Sequence, residues 1–296
     1  MRGNMRSATT GVLQNIASSF PANESLEIYR RMCISRHFEL GLVRAVKEKR
    51  VTYPVYLSLG QETVAAALSM VLRDFMIFTQ HRCHATFLCF GGPAGKLRDE
   101  LMGLPTGTSG GRAGSNCIQC HENGVTMFGH HGLIGENVPQ AVGAALGSGR
   151  PVVCFFGDGA AEEDYVVAAI GFASTHRLPI LFVCEDNDLS ILTPVEKRRS
   201  WRFGDVAASL GMKTVEIADD PWTIADRARE LKNDLPAFMN IHVCRSNWHV
   251  GAGTDGAPEW DRFSFVESEL GMLGLGKEAA AVKAESADAM EALWAP

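Results

Sequence analysis

Two uninterrupted apolar runs, residues 152–156 and 180–184, flank a stretch that lacks both the alternation of a strand and the polarity of a loop. The first run stops at Gly157-Asp158-Gly159 and the second ends in Glu185-Asp186-Asn187. An Asp-Gly pair between apolar runs is also a common hairpin signal. The intervening residues 160–176, however, hold Ala160, Ala161, Ala168, Ala169 and Ala173, which favours a helix. The pattern thus predicts strand, turn, helix, strand. A helix of about 17 residues is roughly 25 Å long and a strand of about seven covers roughly 23 Å, so the second strand ends beside the first. Asp158 and Asn187 are therefore expected to be neighbours outside the carboxyl ends of parallel strands, where open α/β sheets bind ligands.

The same reading extends along the chain. Asn23-Glu24-Ser25 precedes an apolar-periodic segment that fits a capped helix, with Arg36, Phe38 and Glu39 on its surface or in its packing. Gly60-Gln61-Glu62 opens an alanine-rich helix, and the apolar run 75–78 leads to His81, Arg82 and His84. Residues 103–116 form a glycine-rich loop, and 138–146 read as a buried helix whose Gly143, Ala144 and Ala145 allow close packing. Beyond Asn187 come helix, strand and helix, with Asp219-Asp220-Pro221 as a helix N-cap, and then a strand from Ala237. The loop after it contains Gly251, Gly253 and Gly256, which suit a segment that closes over a substrate. Three parts are expected: an N-terminal extension 1–23, one α/β domain 24–262, and a helical tail 263–296 packed at the edge or on a partner.

Composition narrows the classes. The chain has 296 residues, 46% hydrophobic and 21% charged, with a net charge of −6. It is an ordinary globular chain with no reason to bind nucleic acid and no run long enough for a membrane span. Lys197-Arg198-Arg199 reads as solvated surface. The eight cysteines lie mainly in apolar segments and no signal peptide is seen, which points to reduced thiols in the cytoplasm. Arg2, Arg6 and several serines before Glu24 faintly suggest a mitochondrial transit peptide, without its amphipathic arginine pattern. Cys117-Ile118-Gln119-Cys120-His121 formally matches haem c attachment and offers three zinc ligands, but a loop with reduced thiols is the better reading.

The chemistry lies at the strand ends. A carboxylate and an amide oxygen meeting at one point are hard ligands suited to magnesium or calcium. Gly157 and Gly159 let the backbone approach a phosphate, towards which the following helix points its N-terminus. Gly-Asp-Gly followed about thirty residues later by Asn, with Leu178-Pro179 before the second strand, resembles the thiamine diphosphate motif. Over roughly residues 24–290 the chain is similar to the alpha subunits of the first component of 2-oxo acid dehydrogenase complexes, which act on pyruvate, branched-chain 2-oxo acids or acetoin.

The resemblance implies a thiamine diphosphate-binding fold: an open, mostly parallel sheet with helices on both faces. It implies thiamine diphosphate and Mg2+ as cofactors, with the metal held by Asp158, Asn187 and the Leu189 carbonyl. His81 and Arg82 would contact the diphosphate, the backbone of Gly132 and Ile134 the aminopyrimidine, and Gly157, Gly159, Ala160 and His249 would complete the cofactor site. His84 and His249 are the implied acid/base residues. Tyr56, Cys117 and Trp248 depart from the family pattern where substrate is handled. The implied activity is decarboxylation of a 2-oxo acid with acyl transfer to a lipoyl carrier. A carboligase subunit, making acyloins or acting like a split transketolase, is the alternative, and a non-catalytic scaffold a more remote one. Because the glutamate that activates the aminopyrimidine comes from a separate beta subunit in this family, an α2β2 assembly is expected, with a lipoyl-bearing acyltransferase as a further partner.

Overall fold

The computed structural model describes residues 16–254 and 257–295. Arg2, Arg6 and Gly256 lie outside the described residues. The strands are β1 (Met76–Phe78), β2 (Met127–Phe128), β3 (Val152–Gly157), β4 (Ile180–Asp186), β5 (Leu189–Ser190), β6 (Thr193–Pro194), β7 (Lys213–Ala218) and β8 (Ala237–His242). The helices are α1 (Ala22–Lys47), α2 (Glu62–Val71), α3 (His84–Cys89), α4 (Ala94–Leu101), α5 (Asn137–Ser148), α6 (Asp164–Thr175), α7 (Val195–Arg198), α8 (Phe203–Ser209), α9 (Pro221–Leu231), α10 (Arg262–Met272) and α11 (Gly276–Trp294). Six strands form one parallel sheet in the order β2-β1-β3-β4-β8-β7, while β5 and β6 make a short antiparallel hairpin.

The apolar runs follow from burial on both faces, as parallel strands covered by helices require. Alternate residues part to opposite sides. Val153, Phe155, Leu181, Val183, Met239 and Ile241 pack with α1, α2 and α9. Val152, Cys154, Phe156, Ile180, Phe182 and Cys184 pack with α5, α6 and α8. A third cluster joins Tyr29 and Met32 of α1 to Trp222, Phe263 and Val266. The last two helices lie against α1, where Trp294 packs on Phe38 with ring centroids 5.2 Å apart. Gly41 makes that contact possible, since a Cβ there would stand 2.1 Å from the Trp294 ring. Asp220 caps α9 by accepting from the Trp222 and Thr223 amides.

Residues 160–176 are not one helix. A 3-10 turn, Ala160–Glu162, comes first, Glu163 is extended at ψ 136°, and α6 starts at Asp164. The cause is tertiary: Glu162 is turned towards Arg198 and Arg199, which hold the first turn out of line with the helix. The shorter helix still returns the chain in parallel, pairing Val152 with Ile180 and Gly157 with Glu185.

Candidate functional site

From β1 the chain places β2 on one side and β3 on the other. The crevice outside the carboxyl ends of β1 and β3 is thus a topological switch point. It holds a cavity of about 150 Å³ that opens to solvent. Gln80, His81 and Arg82 enter it from the end of β1, and Gly157, Asp158, Gly159 and Ala160 from the end of β3. Asn187 and Leu189 come from beyond β4, Arg245 and His249 from beyond β8, and Ile134 from the turn before α5. Gly132 and His84 do not line it.

Asp158 is almost fully buried, and its carboxylate accepts from Arg198. Arg199 donates to the Asp158 carbonyl at 2.8 Å and to Glu162 at 3.1 Å, with its guanidinium 5.1 Å from the Trp201 ring centroid. Two of the three basic residues expected on solvated surface are therefore packed against Asp158 and Glu162. Charge runs read as surface by default, and only the fold of β5, β6 and α7 brings this one back over the strand ends. Burial and the neighbouring Asp186 push the Asp158 carboxyl up to about 6 despite both arginines. A carboxylate so poorly solvated gains from further positive charge.

Asn187 Oδ1 accepts from the Leu189 amide at 3.1 Å, and a carboxylate, an amide oxygen and backbone carbonyls at these strand ends are the hard donor types that suit magnesium. The backbone is unusual here: Asp188 has φ 65° and Ile191, a β-branched residue at the cavity wall, φ 55°. Gly159 serves this hairpin as well, because a Cβ there would stand 2.8 Å from the Ser190 hydroxyl.

An anion would meet the other side of the cavity. Arg82 is buried, donating to the Leu57 carbonyl at 2.9 Å and the His249 carbonyl at 3.0 Å, and burial beside Arg245 pushes it down to about 10. His249 Nδ1 faces Arg82 Nη2 at 3.5 Å. A guanidinium only donates, so the His249 proton sits on Nε2. Burial, Arg82 and Arg245 hold His249 down at about 4, and burial first and Arg82 second push His81 well below the ordinary imidazole value. His130 accepts from the Gly132 amide at 2.9 Å, leaving its Nε2, like that of His81, buried with no protein partner. Such orphaned polar atoms in a cavity wall fit a ligand rich in hydrogen-bonding groups. The sequence assigns no role to Gln80 or His130, and places Arg198 on solvated surface. Only His130, in Gly-His-His-Gly and four residues before Ile134, carries a local signal.

Glu185 lies beneath this wall, accepts from Gln80, and is held up at about 7 chiefly by burial. Its folded value lies above the unfolded one of 4.5, so its contribution to stability is full below about 4.5 and lost as pH rises through about 7. Glu185→Gln keeps the shape and removes the charge. Urea unfolding should find the variant similar to wild type at pH 4.5 and more stable at pH 8 by about 2 kcal/mol. Parallel stability profiles for the two proteins across that window would refute this.

His84 is wholly buried, with Nδ1 3.1 Å from Glu39 Oε1 and Nε2 3.0 Å from the Ser115 hydroxyl. The glycine-rich loop is organised by Glu100, whose carboxylate accepts from the amides of Ser109, Gly111 and Ala113 at 2.6 to 3.0 Å. Cys120 is buried and bonded through its backbone to Met127, His121 is exposed, and among the described residues no group of three or more His, Cys, Asp or Glu could hold a metal. All eight cysteines are unpaired. No helix among the described residues is long and apolar enough to cross a membrane.

Comparison with known proteins gives a consistent result. A family model described as "Dehydrogenase E1 component" matches residues 29–249. The pyruvate dehydrogenase E1 component subunit alpha of Zymomonas mobilis is 33% identical over 251 residues, covering 76% of this chain and 67% of that protein. The Rickettsia prowazekii subunit is 29% identical, covering 76% and 73%. The mitochondrial subunit of Schizosaccharomyces pombe is 31% identical over 180 residues, covering 59% of this chain, so the match spans only 43% of that relative's length. Among solved structures, the transketolase of Leishmania mexicana aligns with a TM-score of 0.56 at 15% identity, over 93% of this chain and 46% of its own. That likeness shows the fold: an α/β sheet of the kind found in transketolase.

Proposed function

The chain belongs to the dehydrogenase E1 component family, and from that premise we propose that it is the alpha-type subunit of a thiamine diphosphate- and magnesium-dependent 2-oxo acid dehydrogenase. The reaction is decarboxylation of a 2-oxo acid and transfer of the acyl unit to a lipoyl carrier. One observation carries the reading: Asp158 and Asn187 share a switch-point cavity with Arg82, and an anion could bridge them. The names of the relatives favour this over a carboligase.

Thiamine diphosphate, when bound, supplies the nucleophilic carbon and the electron sink. Asp158, Asn187 and the Leu189 carbonyl would hold magnesium. Arg82 and His81 would hold the diphosphate, Arg82 by its rigid fork of donors. Gly132 and Ile134 would meet the aminopyrimidine. The Gly132 amide is engaged by His130 and the Ile134 carbonyl accepts from the Tyr165 hydroxyl, so the opposite backbone groups, the Gly132 carbonyl and the Ile134 amide, are the ones left for it. His249, neutral at pH 7 with Nδ1 turned to Arg82, would donate a hydrogen bond through Nε2 near the reacting atoms.

Asp158 is the one carboxylate among the described lining residues, and Arg198 already engages it. No second acid is left to activate the aminopyrimidine, which supports a beta subunit as its source and an α2β2 assembly. The test is the chain copurified with its beta partner, thiamine diphosphate and magnesium, assayed on a panel of 2-oxo acids. Carbon dioxide release coupled to reduction of an artificial acceptor is expected, with no turnover from the chain alone. Release without reduction would overturn acyl transfer to an oxidising carrier, and turnover by the chain alone would overturn the partner requirement.

A further inference from the structure

His84 is too deeply buried to touch a ligand, yet its hydrogen bonds lead to the cavity wall. On one side Glu39 Oε1 lies 3.1 Å from its Nδ1 and also accepts from the Ser58 amide at 2.7 Å. On the other, the Ser115 hydroxyl and carbonyl lie 3.0 and 3.1 Å from its Nε2. The same hydroxyl accepts from the Tyr56 amide at 2.9 Å. The Tyr56 ring then meets His81 and His249 edge-on, with centroids 5.1 and 5.6 Å apart, and those two imidazoles lie 5.2 Å from each other. Four segments distant in sequence are thereby tied together: α1, the stretch before α2, the start of α3, and the end of the glycine-rich loop.

We propose that Glu39, His84 and Ser115 are positioning residues, which lock the backbone at Tyr56 so that its ring fixes the orientation of His81 and His249 in the cavity. The inference rests on the cavity being the reaction site. A packing role alone explains the chain of groups poorly. Glu39 is fully buried with Oε2 lacking any partner, a cost that an apolar pair of similar volume would avoid. Fixing a reactive side chain is what such a network can contribute, because catalytic geometry must be held to a fraction of an ångström. Glu39 and Ser115 act through Tyr56, and neither reaches the cavity.

Ser115→Ala removes the hydroxyl from the middle of the network and little volume. In the full chain without cofactor, histidine-ring NMR, with His249 assigned by loss of its signal in His249→Gln, should show its titration midpoint rise by about one unit as the ring gains water. In the copurified holoenzyme, Ser115→Ala and Glu39→Gln should lower kcat by about tenfold or more, with KM for the 2-oxo acid changed less than twofold. His84→Gln, which can still reach Ser115, should retain more kcat than His84→Ala. If His84→Ala fails to fold, Ser115→Ala and His84→Gln decide. An unmoved His249 midpoint, or an unmoved kcat, in Ser115→Ala of wild-type melting temperature overturns the proposal. Absence of wild-type turnover would instead count against the proposed activity. The NMR arm, which uses neither substrate nor cofactor, would then decide the positioning by itself.

Discussion

Asp158→Ala should abolish magnesium-dependent binding of thiamine diphosphate while leaving the fold intact. Loss of an outer-sphere partner already costs roughly ten- to a hundredfold in metal affinity, so loss of a coordinating carboxylate is expected to exceed a hundredfold. Stability should not fall with it. Asp158 is buried and repelled by Asp186, which is why its carboxyl is held up at about 6, and Arg198 retains Glu162 once Asp158 is gone. Calorimetric titration with cofactor and magnesium, beside a melting curve, separates the two effects. Undiminished binding in the variant would sink the metal assignment, and loss of binding with a collapsed melting temperature would mean that Asp158 is structural. Asp158→Asn keeps the shape without the charge and should behave like the alanine variant in binding.

His249→Ala should lower kcat by about a hundredfold or more, in the range expected for loss of a positioned acid/base group. The imidazole is held down at about 4 by burial, Arg82 and Arg245. At pH 7 only about a thousandth of it is charged, which makes it a neutral donor through Nε2 and not a standing imidazolium acid. The sign follows: lowering the pH from 8 to 5 should leave its neutral form dominant, and a loss of kcat due to His249 should appear only as pH approaches about 4. Wild type and variant compared across pH 4 to 8 in the copurified enzyme would check both the size and the flat profile. A wild-type acid limb near 6.5 that disappears in the variant would show that cofactor or partner reverses the electrostatics of the free cavity.

Several features were legible along the chain because they depend on local pattern. The apolar runs of β3 and β4 are continuous since both faces of these strands are covered, and Gly157-Asp158-Gly159 stops the first where the chain must turn. Ten of the twelve residues proposed for cofactor, metal or catalysis line one cavity; Gly132 and His84 stand outside it. The split of residues 160–176 was not legible, because alanine content favours a helix without saying where it begins. Its start at Asp164 is decided by arginines some thirty-five residues away. Glu39 is another case: on a helix a glutamate is most simply surface, and only the approach of His84 and the Ser58 amide explains its burial.

What the sequence determined by itself is therefore the family, the parallel strand-helix-strand unit and the strand-end positions of Asp158 and Asn187. These rest on short-range periodicity and on motif spacing, which any stretch of about thirty residues carries within itself. The tertiary structure alone decided the electrostatics: that Arg198 engages Asp158, that burial, then Arg82 and Arg245, keeps His249 neutral, and that His84 is buried against Glu39. Charge interactions depend on distance and burial, and neither is fixed until segments far apart in the chain have packed against the same sheet.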